Sequence, residues 1–250
     1  MQELLEYDKY RMSIREEMMC AGTAGILALL AAWILYKSFW GLLLWIVIFP
    51  LYRKHYIVRC MEKRKQELLI QFKDAMQCIS TALMSGYSID NAWSEAEKEL
   101  TELYGKQAYM TQELHQMNRG IQVNQRVEEL VSQFAARSGC EDIIGFAEVF
   151  QFVKRYGGNL GKIMQNTAAR ISEKIEAEQE IETIIAGKKM EQKIMNIIPV
   201  CLLAYLNLTS EAFLAPLYGN FFGVLVMTIA FGAYLGTLAL ASYITNIDWR

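Results

Sequence analysis

The sequence contains few of the residues that perform catalytic chemistry. It has two histidines, His55 and His115, and five cysteines that stand singly, without a C-x-x-C pair. These counts argue against a Ser/His/Asp set and against the usual spacing of zinc ligands. G-x-G-x-x-G and H-E-x-x-H are absent as well. The sequence therefore predicts no catalytic residues, no metal, no cofactor and no enzymatic activity.

A phosphate-binding loop is also excluded. The run Gly157-Gly158-Asn159-Leu160-Gly161-Lys162 is superficially similar to one. However, Tyr156 occupies the first glycine position and Ile163 the Ser/Thr position. The preceding residues are predicted to form a helix, whereas a phosphate-binding loop follows a strand.

Proline is scarce, and charge is missing from two long stretches. The three prolines all lie outside 53–193. Met18–Tyr52 contains one charged residue, Lys37, and Ile194–Ile244 also contains one, Glu211. A membrane span needs roughly 20 predominantly apolar residues. The sequence therefore predicts two membrane hairpins, 18–52 and 194–244, on either side of a charged middle segment.

Each predicted hairpin turns at a polar or glycine-containing interruption, at Lys37–Gly41 in the first and at Glu211–Asn220 in the second. One long tilted helix is the alternative for the first block. The four predicted spans are 18–36, 39–52, 194–210 and 221–244.

Basic residues crowd both ends of the middle segment, although its acidic and basic residues balance and predict no nucleic-acid partner. The positive-inside rule places 53–193 and both terminal segments, 1–17 and 245–250, on the cytoplasmic side of the cell membrane. We call the first group of basic residues the basic collar. The collar consists of Arg53, Lys54, Arg59, Lys63, Arg64 and Lys65.

Apolar residues in the middle segment recur every three or four positions, and no window alternates with period two. This pattern predicts an all-α fold with a compact six-helix bundle at 53–193. The last helix of the bundle is predicted to continue through a glutamate-rich stretch to residue 186. The six stripes lie at Phe72–Leu83, Ile89–Leu100, 107–118, Val127–Phe134, Ile143–Val153 and Leu160–Ile175.

Three breaks between the predicted helices share a pattern of glycine, any residue, a polar residue and an aliphatic one. They are Gly86–Ile89, Gly120–Val123 and Gly157–Leu160. Glycine supplies the left-handed conformation that ends a helix. Ser88 and Asn159 are then predicted to cap the helices that follow.

Several short motifs stand in a definite order relative to the apolar blocks. They are Gln71-Phe72-Lys73-Asp74-Ala75, Ser85-Gly86-Tyr87-Ser88-Ile89, Gly157-Gly158-Asn159-Leu160, Ala168-Ala169-Arg170-Ile171, Gly187 ahead of Pro199, and Ala215-Pro216-Leu217-Tyr218 before Gly223.

This order resembles the type II secretion system F family, and above all the single-domain B-type platform proteins of tight-adherence (Flp) pilus assembly. The resemblance covers roughly 65–240, and the C-type sister protein has the same broad layout. It implies an inner-membrane platform that couples a hexameric cytoplasmic secretion ATPase to the extraction and polymerisation of pilin subunits. Since the chain has one copy of a domain that larger relatives have twice, it also implies pairing with itself or with a sister platform protein.

Two groups of residues are predicted to face such partners. The first group is the loops with Gly86, Ser88, Gly157, Gly158 and Asn159, and the second is the basic collar. Ordinary helix capping and positive-inside anchoring are the alternative interpretations of these residues. A membrane transporter or channel component is the alternative function, since it would also use four spans, although no buried charge or broken-helix pair supports it.

Overall fold

The computed structural model describes Tyr7, Met12 and residues 14–36, 43–209 and 220–245. All regular secondary structure within these ranges is α-helical, so the predicted all-α class is confirmed. The helices are α1 (Ile14–Tyr36), α2 (Leu43–Met84), α3 (Ile89–Tyr104), α4 (Tyr109–Gln122), α5 (Val127–Ser138), α6 (Glu141–Tyr156), α7 (Leu160–Thr209) and α8 (Phe221–Thr245).

The chain divides into two compact units. Unit 1 comprises Met1–Arg11 and Tyr56–Ala177, and unit 2 comprises Met12–His55 and Glu178–Arg250. Two of the boundaries fall inside α2 and α7, which each continue from one unit into the other without a break.

Unit 1 is organised around an aromatic core. The Phe72 ring packs edge-on against Phe146 with 5.4 Å between centroids, and Phe146 stacks on Phe150 at 5.6 Å. Phe150 meets Trp93 in a T-shaped contact at 6.4 Å. These rings come from α2, α3 and α6, so burial of the aromatic side chains joins three helices that are distant in sequence.

The apolar stripes explain why these helices form. In α3 the buried residues Ala92, Trp93, Ala96 and Leu100 recur at helical spacing, and the other face is polar. Isolated helices of this length are marginal in water, so tertiary packing of the stripe stabilises them. The predicted stripes at 72–175 lie within observed helices, except that α4 begins two residues after the start of the stripe at 107–118.

The predicted break at Gly120–Val123 contains the end of α4, but the role predicted for its glycine is wrong. α4 runs through this residue to Gln122, and the positive φ that follows belongs to Asn124 at 62°. Gly120 is buried because α5 lies against it. A Cβ at this position would lie 2.8 Å from Leu130 Cδ1, so glycine permits close packing here and does not end the helix.

The prediction of a polytopic membrane protein with four spans is also wrong. Among the described residues, no helix is both long enough and apolar enough to cross a membrane. In α2, for example, the ten residues from Leu43 to Tyr52 precede Arg53, half of what a span requires. In α7, sixteen described residues follow Lys193. The predicted turn at Lys37–Gly41 lies outside the described residues, as does the predicted turn at Glu211–Asn220 except for Asn220.

Unit 2 contains parts of α2 and α7 together with α1 and α8. The Tyr234 hydroxyl on α8 donates a hydrogen bond of 2.6 Å to the backbone oxygen of Asn196 on α7. The Arg53 Nε atom on α2 lies 3.4 Å from Glu17 Oε1 on α1. The three buried apolar side chains among the described residues of unit 2 are Cys20, Ala24 and Met227.

Candidate functional site

Helices α2 and α7 pack antiparallel within unit 1. The Ser80 hydroxyl donates a hydrogen bond of 2.8 Å to the backbone oxygen of Gly161, at the start of α7. A Cβ on Gly161 would lie 3.6 Å from Met84 Cγ, at the end of α2. A cavity of about 330 Å³ continues between the helices, and its lining includes Gln77 and Ser172. Positions earlier in α2 therefore face positions later in α7.

This arrangement brings two of the predicted partner-facing segments together. The loop Ser85–Ser88 directly follows α2, and the loop Gly157–Asn159 directly precedes α7. Because the two helices are antiparallel, both loops lie at the same end of the pair. We call the surface formed by Met84, these two loops and their side chains the loop-end surface.

The first loop is held by its own backbone. Gly86 has φ +88°, and the Tyr87 N–H donates to the Ala82 oxygen at 3.1 Å, which closes the last turn of α2. Ser88 Oγ accepts from the Asn91 N–H at 3.4 Å and caps α3. The predicted cap at Ser88 is confirmed, and it fixes the backbone from which the Tyr87 side chain projects.

The second loop follows the same chemistry. Gly157 has φ +87°, and its N–H donates to the Val153 oxygen at 2.9 Å. A Cβ on Gly158 would lie 2.6 Å from Val153 Cγ1, so a side chain there would force Val153 to move. Asn159 Oδ1 accepts from the Lys162 N–H at 3.0 Å, which confirms the predicted cap of α7.

Exposed apolar side chains accompany these loops. Met84 is 62% exposed and Tyr87 is half exposed, although both stand beside rigidly held backbone. Sequence reasoning singled out the glycines and caps and missed these two residues. Tyr87 could have been recognised from the sequence, because it is an aromatic residue between a helix-ending glycine and a helix-capping serine. No position in the core is available to a side chain there.

The basic collar is not part of the loop-end surface. Within α2, Lys63–Lys65 lie about 20 residues before Met84, which corresponds to about 30 Å along a helix. Lys65 Nζ donates to the backbone oxygen of Gly139 at 3.1 Å, and the Arg64 guanidinium lies 5.8 Å from the centroid of the Tyr109 ring. Both side chains therefore help to hold α4 and α5 in place.

The other predicted collar residues have different surroundings. Arg59 and Lys63 are exposed, as are Arg53 and Lys54 in unit 2, and Arg53 forms the ion pair with Glu17. The residues predicted to face partners therefore form two separate groups, the glycine loops and the basic collar. Within unit 1, the two glycine loops adjoin each other and the collar residues lie apart from them.

A buried carboxylate is the strongest polar feature that sequence reasoning missed. Arg137 binds Glu113 through both of its terminal nitrogens, at 3.1 and 2.7 Å. The Tyr7 hydroxyl donates to Glu113 Oε1 at 3.1 Å, and its backbone N–H donates to the Arg137 oxygen at 3.2 Å. Burial, reinforced by the Glu113 charge, raises the pKa of Tyr7. The cluster fixes Tyr7 and α5 against α4.

A second polar cluster joins α2 and α3. The Tyr104 hydroxyl donates to Asp74 Oδ2, and this hydrogen bond raises the pKa of Tyr104 to about 12. Burial raises the pKa of the nearby Cys78 thiol to about 12, with a further contribution from its hydrogen bond to Glu99. A thiol with so high a pKa is a poor nucleophile at neutral pH.

No grouping of three or more histidine, cysteine, aspartate or glutamate residues suited to a metal ion occurs in the part of the chain that the structure describes. A comparison with protein-family models, curated proteins and solved structures finds no match for this chain. The resemblance to the type II secretion system F family therefore stays a prediction.

Proposed function

We propose that this protein is a non-enzymatic platform component of a type II secretion-like machine that assembles Flp pili at the cell membrane. In this role the loop-end surface of unit 1 binds a hexameric cytoplasmic secretion ATPase. Movements of the ATPase are then passed to the platform, which extracts and polymerises pilin subunits. The proposal rests on the resemblance in motif order and on the shared position of the two glycine loops.

The loop-end surface has the properties of a docking site. Its backbone is held by capping hydrogen bonds at Ser88 and Asn159, so little conformational entropy is lost when a partner binds. Tyr87 and Met84 present apolar surface that this chain leaves exposed. Tyrosine is among the residues that contribute most to binding energy at protein interfaces.

The same surface adjoins the start of a long helix. α7 begins next to Asn159 and continues without a break to Thr209, a length of about 75 Å at 1.5 Å per residue. A force applied at the loop-end surface therefore acts on a helix that extends into unit 2. This continuity supports a role in transmitting work that a partner generates.

Pilin subunits, a second copy or sister platform protein, and lipid are the further partners in this proposal. Unit 2 offers the surface for pilin subunits and lipid, because its described helices expose many large apolar side chains. Those on the second half of α7 include Ile194, Met195, Ile197, Ile198, Leu202, Tyr205 and Leu208. Contiguous exposed apolar surface of this kind marks interaction sites.

The test replaces the apolar side chains of the loop-end surface in the full chain. We expect Met84→Asp combined with Tyr87→Asp to abolish co-purification of a secretion ATPase from the native host and to abolish surface pili. The matched control is Leu103→Asp on α3, because Leu103 is 63% exposed and Met84 is 62% exposed.

The proposal requires two further results from this experiment. The control variant must retain both the ATPase and the pili, and the double variant must remain folded by circular dichroism. Normal pilus assembly in a strain that lacks the protein altogether would overturn the proposed function.

A further inference from the structure

One face of α6 is apolar and is left uncovered by the residues that the structure describes. Val149, Phe152 and Tyr156 are all exposed, and Phe152 and Tyr156 are 63% and 69% accessible. Their rings lie 4.7 Å apart, so they form a single aromatic ridge. The opposite face, with Phe146 and Phe150, is buried in the core of unit 1.

Gly145 lies on the same exposed face, seven residues before Phe152. Its surroundings are open, because a Cβ added there would meet nothing within 4 Å. It has no positive φ that would require glycine, and an exposed glycine in a helix interior is unfavourable relative to alanine. No contact among the described residues of unit 1 explains it, whereas a partner that approaches α6 closely would.

We propose that the exposed face of α6 binds the same face of a second copy of this chain, with the two helices antiparallel. Pairing with a second copy is part of the function proposed above, whereas the face and the orientation stated here rest on α6 alone. Gly145 and Phe152 are two helical turns apart, so a two-fold axis between Glu148 and Val149 places each Phe152 ring over the Gly145 of the other copy. The exposed glycine and the exposed ridge are thereby both accounted for.

The charges on α6 favour this orientation. Glu141 at the start and Arg155 near the end are exposed and form no ion pair with any residue that the structure describes. Their neighbours are already paired, since Asp142 binds Lys174 and Lys154 lies 3.7 Å from Glu128. In the antiparallel pair, Glu141 of each copy faces Arg155 of the other. A parallel pair would place like charges together.

One residue opposes the pairing and provides a sharp test. Glu148 lies next to the two-fold axis, so the two Glu148 carboxylates face each other across it. We therefore expect Glu148→Gln to tighten the association roughly two- to fivefold, because like charges at that distance repel modestly. A surface that bound a neutral or basic partner would not predict this gain.

The first experiment uses cross-linking in the full-length protein. Phe152 is replaced with the photoreactive amino acid p-benzoylphenylalanine, and copies labelled with ¹⁴N and ¹⁵N are mixed before irradiation. We expect a covalent dimer in which position 152 of one isotope is joined to the segment 145–149 of the other. The same substitution at Leu103, which is equally exposed at 63%, is expected to give no such product.

The second experiment tests the orientation with charge reversals. Alone, Glu141→Arg or Arg155→Glu should lower the yield of the cross-linked dimer roughly tenfold, since two attractive pairs per dimer become repulsive. An equimolar mixture of the two variants should recover the wild-type yield, because each charge then meets its opposite. Gly145→Leu should lower the yield in both settings, since it fills the space for Phe152.

The outcomes are decisive in both directions. Cross-links from position 152 to a different segment, to another protein or to nothing would overturn the proposal, as would a mixture that fails to recover. Since these substitutions leave Met84 and Tyr87 intact, binding of a secretion ATPase is measured on the same samples. If the dimer does not form but the ATPase still binds, this proposal fails and the proposed function stands. If the dimer forms but the ATPase does not bind, the proposed function fails and this proposal stands.

Discussion

The two units of this chain are built from similar helices but bury their apolar residues very differently. Twenty-five buried residues form one continuous core in unit 1, whereas three buried apolar side chains are described in unit 2. Unit 1 therefore contains within itself the contacts that stabilise it. The described helices of unit 2 leave large apolar side chains exposed, which is typical of interaction surfaces.

The largest expected effect concerns the core itself. Phe150→Ala in unit 1 should lower the free energy of unfolding by about 3–5 kcal/mol, because it removes a fully buried ring and leaves a cavity. Leu208→Ala in unit 2 should change it by less than about 0.5 kcal/mol, since Leu208 is largely exposed. Hydrogen exchange followed by mass spectrometry assigns each effect to its unit. Equal losses in both units would contradict the comparison.

The next effect compares a buried ion pair with an exposed one. Arg137→Ala should cost about 3 kcal/mol of stability, since it leaves the Glu113 carboxylate, only 4% exposed, without its bidentate partner. Arg53→Ala breaks the half-exposed pair with Glu17 and should cost less than about 1 kcal/mol. Urea unfolding measures both losses.

A control separates charge from packing in this prediction. The double variant Glu113→Gln and Arg137→Met should lose clearly less stability than Arg137→Ala alone, because no unpaired charge is then buried. If the double variant loses as much, the role of Arg137 is packing and not neutralisation of Glu113.

A smaller effect contrasts two glycines. Gly86→Ala should destabilise unit 1 by about 1 kcal/mol, because φ is +88° and a side chain is strained there. Gly187→Ala in unit 2 should instead stabilise the chain by up to about 1 kcal/mol, since the residue is helical and a Cβ meets nothing within 4 Å. Thermal melting of the two variants gives the signs. A loss at Gly187 would reveal a contact that requires glycine.

The smallest effect depends on pH. The hydrogen bond to Asp74 raises the pKa of Tyr104 to about 12, above its ordinary value of 10.0. Because Tyr104 is neutral when protonated, this stabilisation is complete below about pH 10 and disappears as the pH rises towards 12. The stability difference between wild type and Tyr104→Phe, measured by urea unfolding, should shrink over this window. A difference that stays constant would contradict the role of the hydroxyl.

Local chemistry in the sequence predicted much of unit 1. The apolar stripes from Phe72 to Ile175 identified the helices, and Ser88 and Asn159 cap α3 and α7 as predicted. Both features depend on residues within one or two helical turns of each other. Gly120 misled the same reasoning, because a glycine that permits close packing looks like one that ends a helix.

The candidate site was less predictable, because its contacts join distant residues. The antiparallel packing of α2 and α7 depends on Ser80 and Gly161, which are 81 positions apart. Glu113 follows Met110 and precedes Met117 at helical spacing, so its place on the buried face could have been recognised. Its partner Tyr7 is 106 positions away, and no local pattern connects them.

The continuity of α2 and α7 across the unit boundaries has a practical consequence for dissecting this protein. Proteases cut chain that can adopt an extended conformation, and they usually release domains by cutting the linkers between them. At Tyr56 and Ala177 the boundary offers α-helix instead of a linker. Limited proteolysis should therefore leave these two crossings intact, and an isolated unit 1 has to be obtained by truncating the gene.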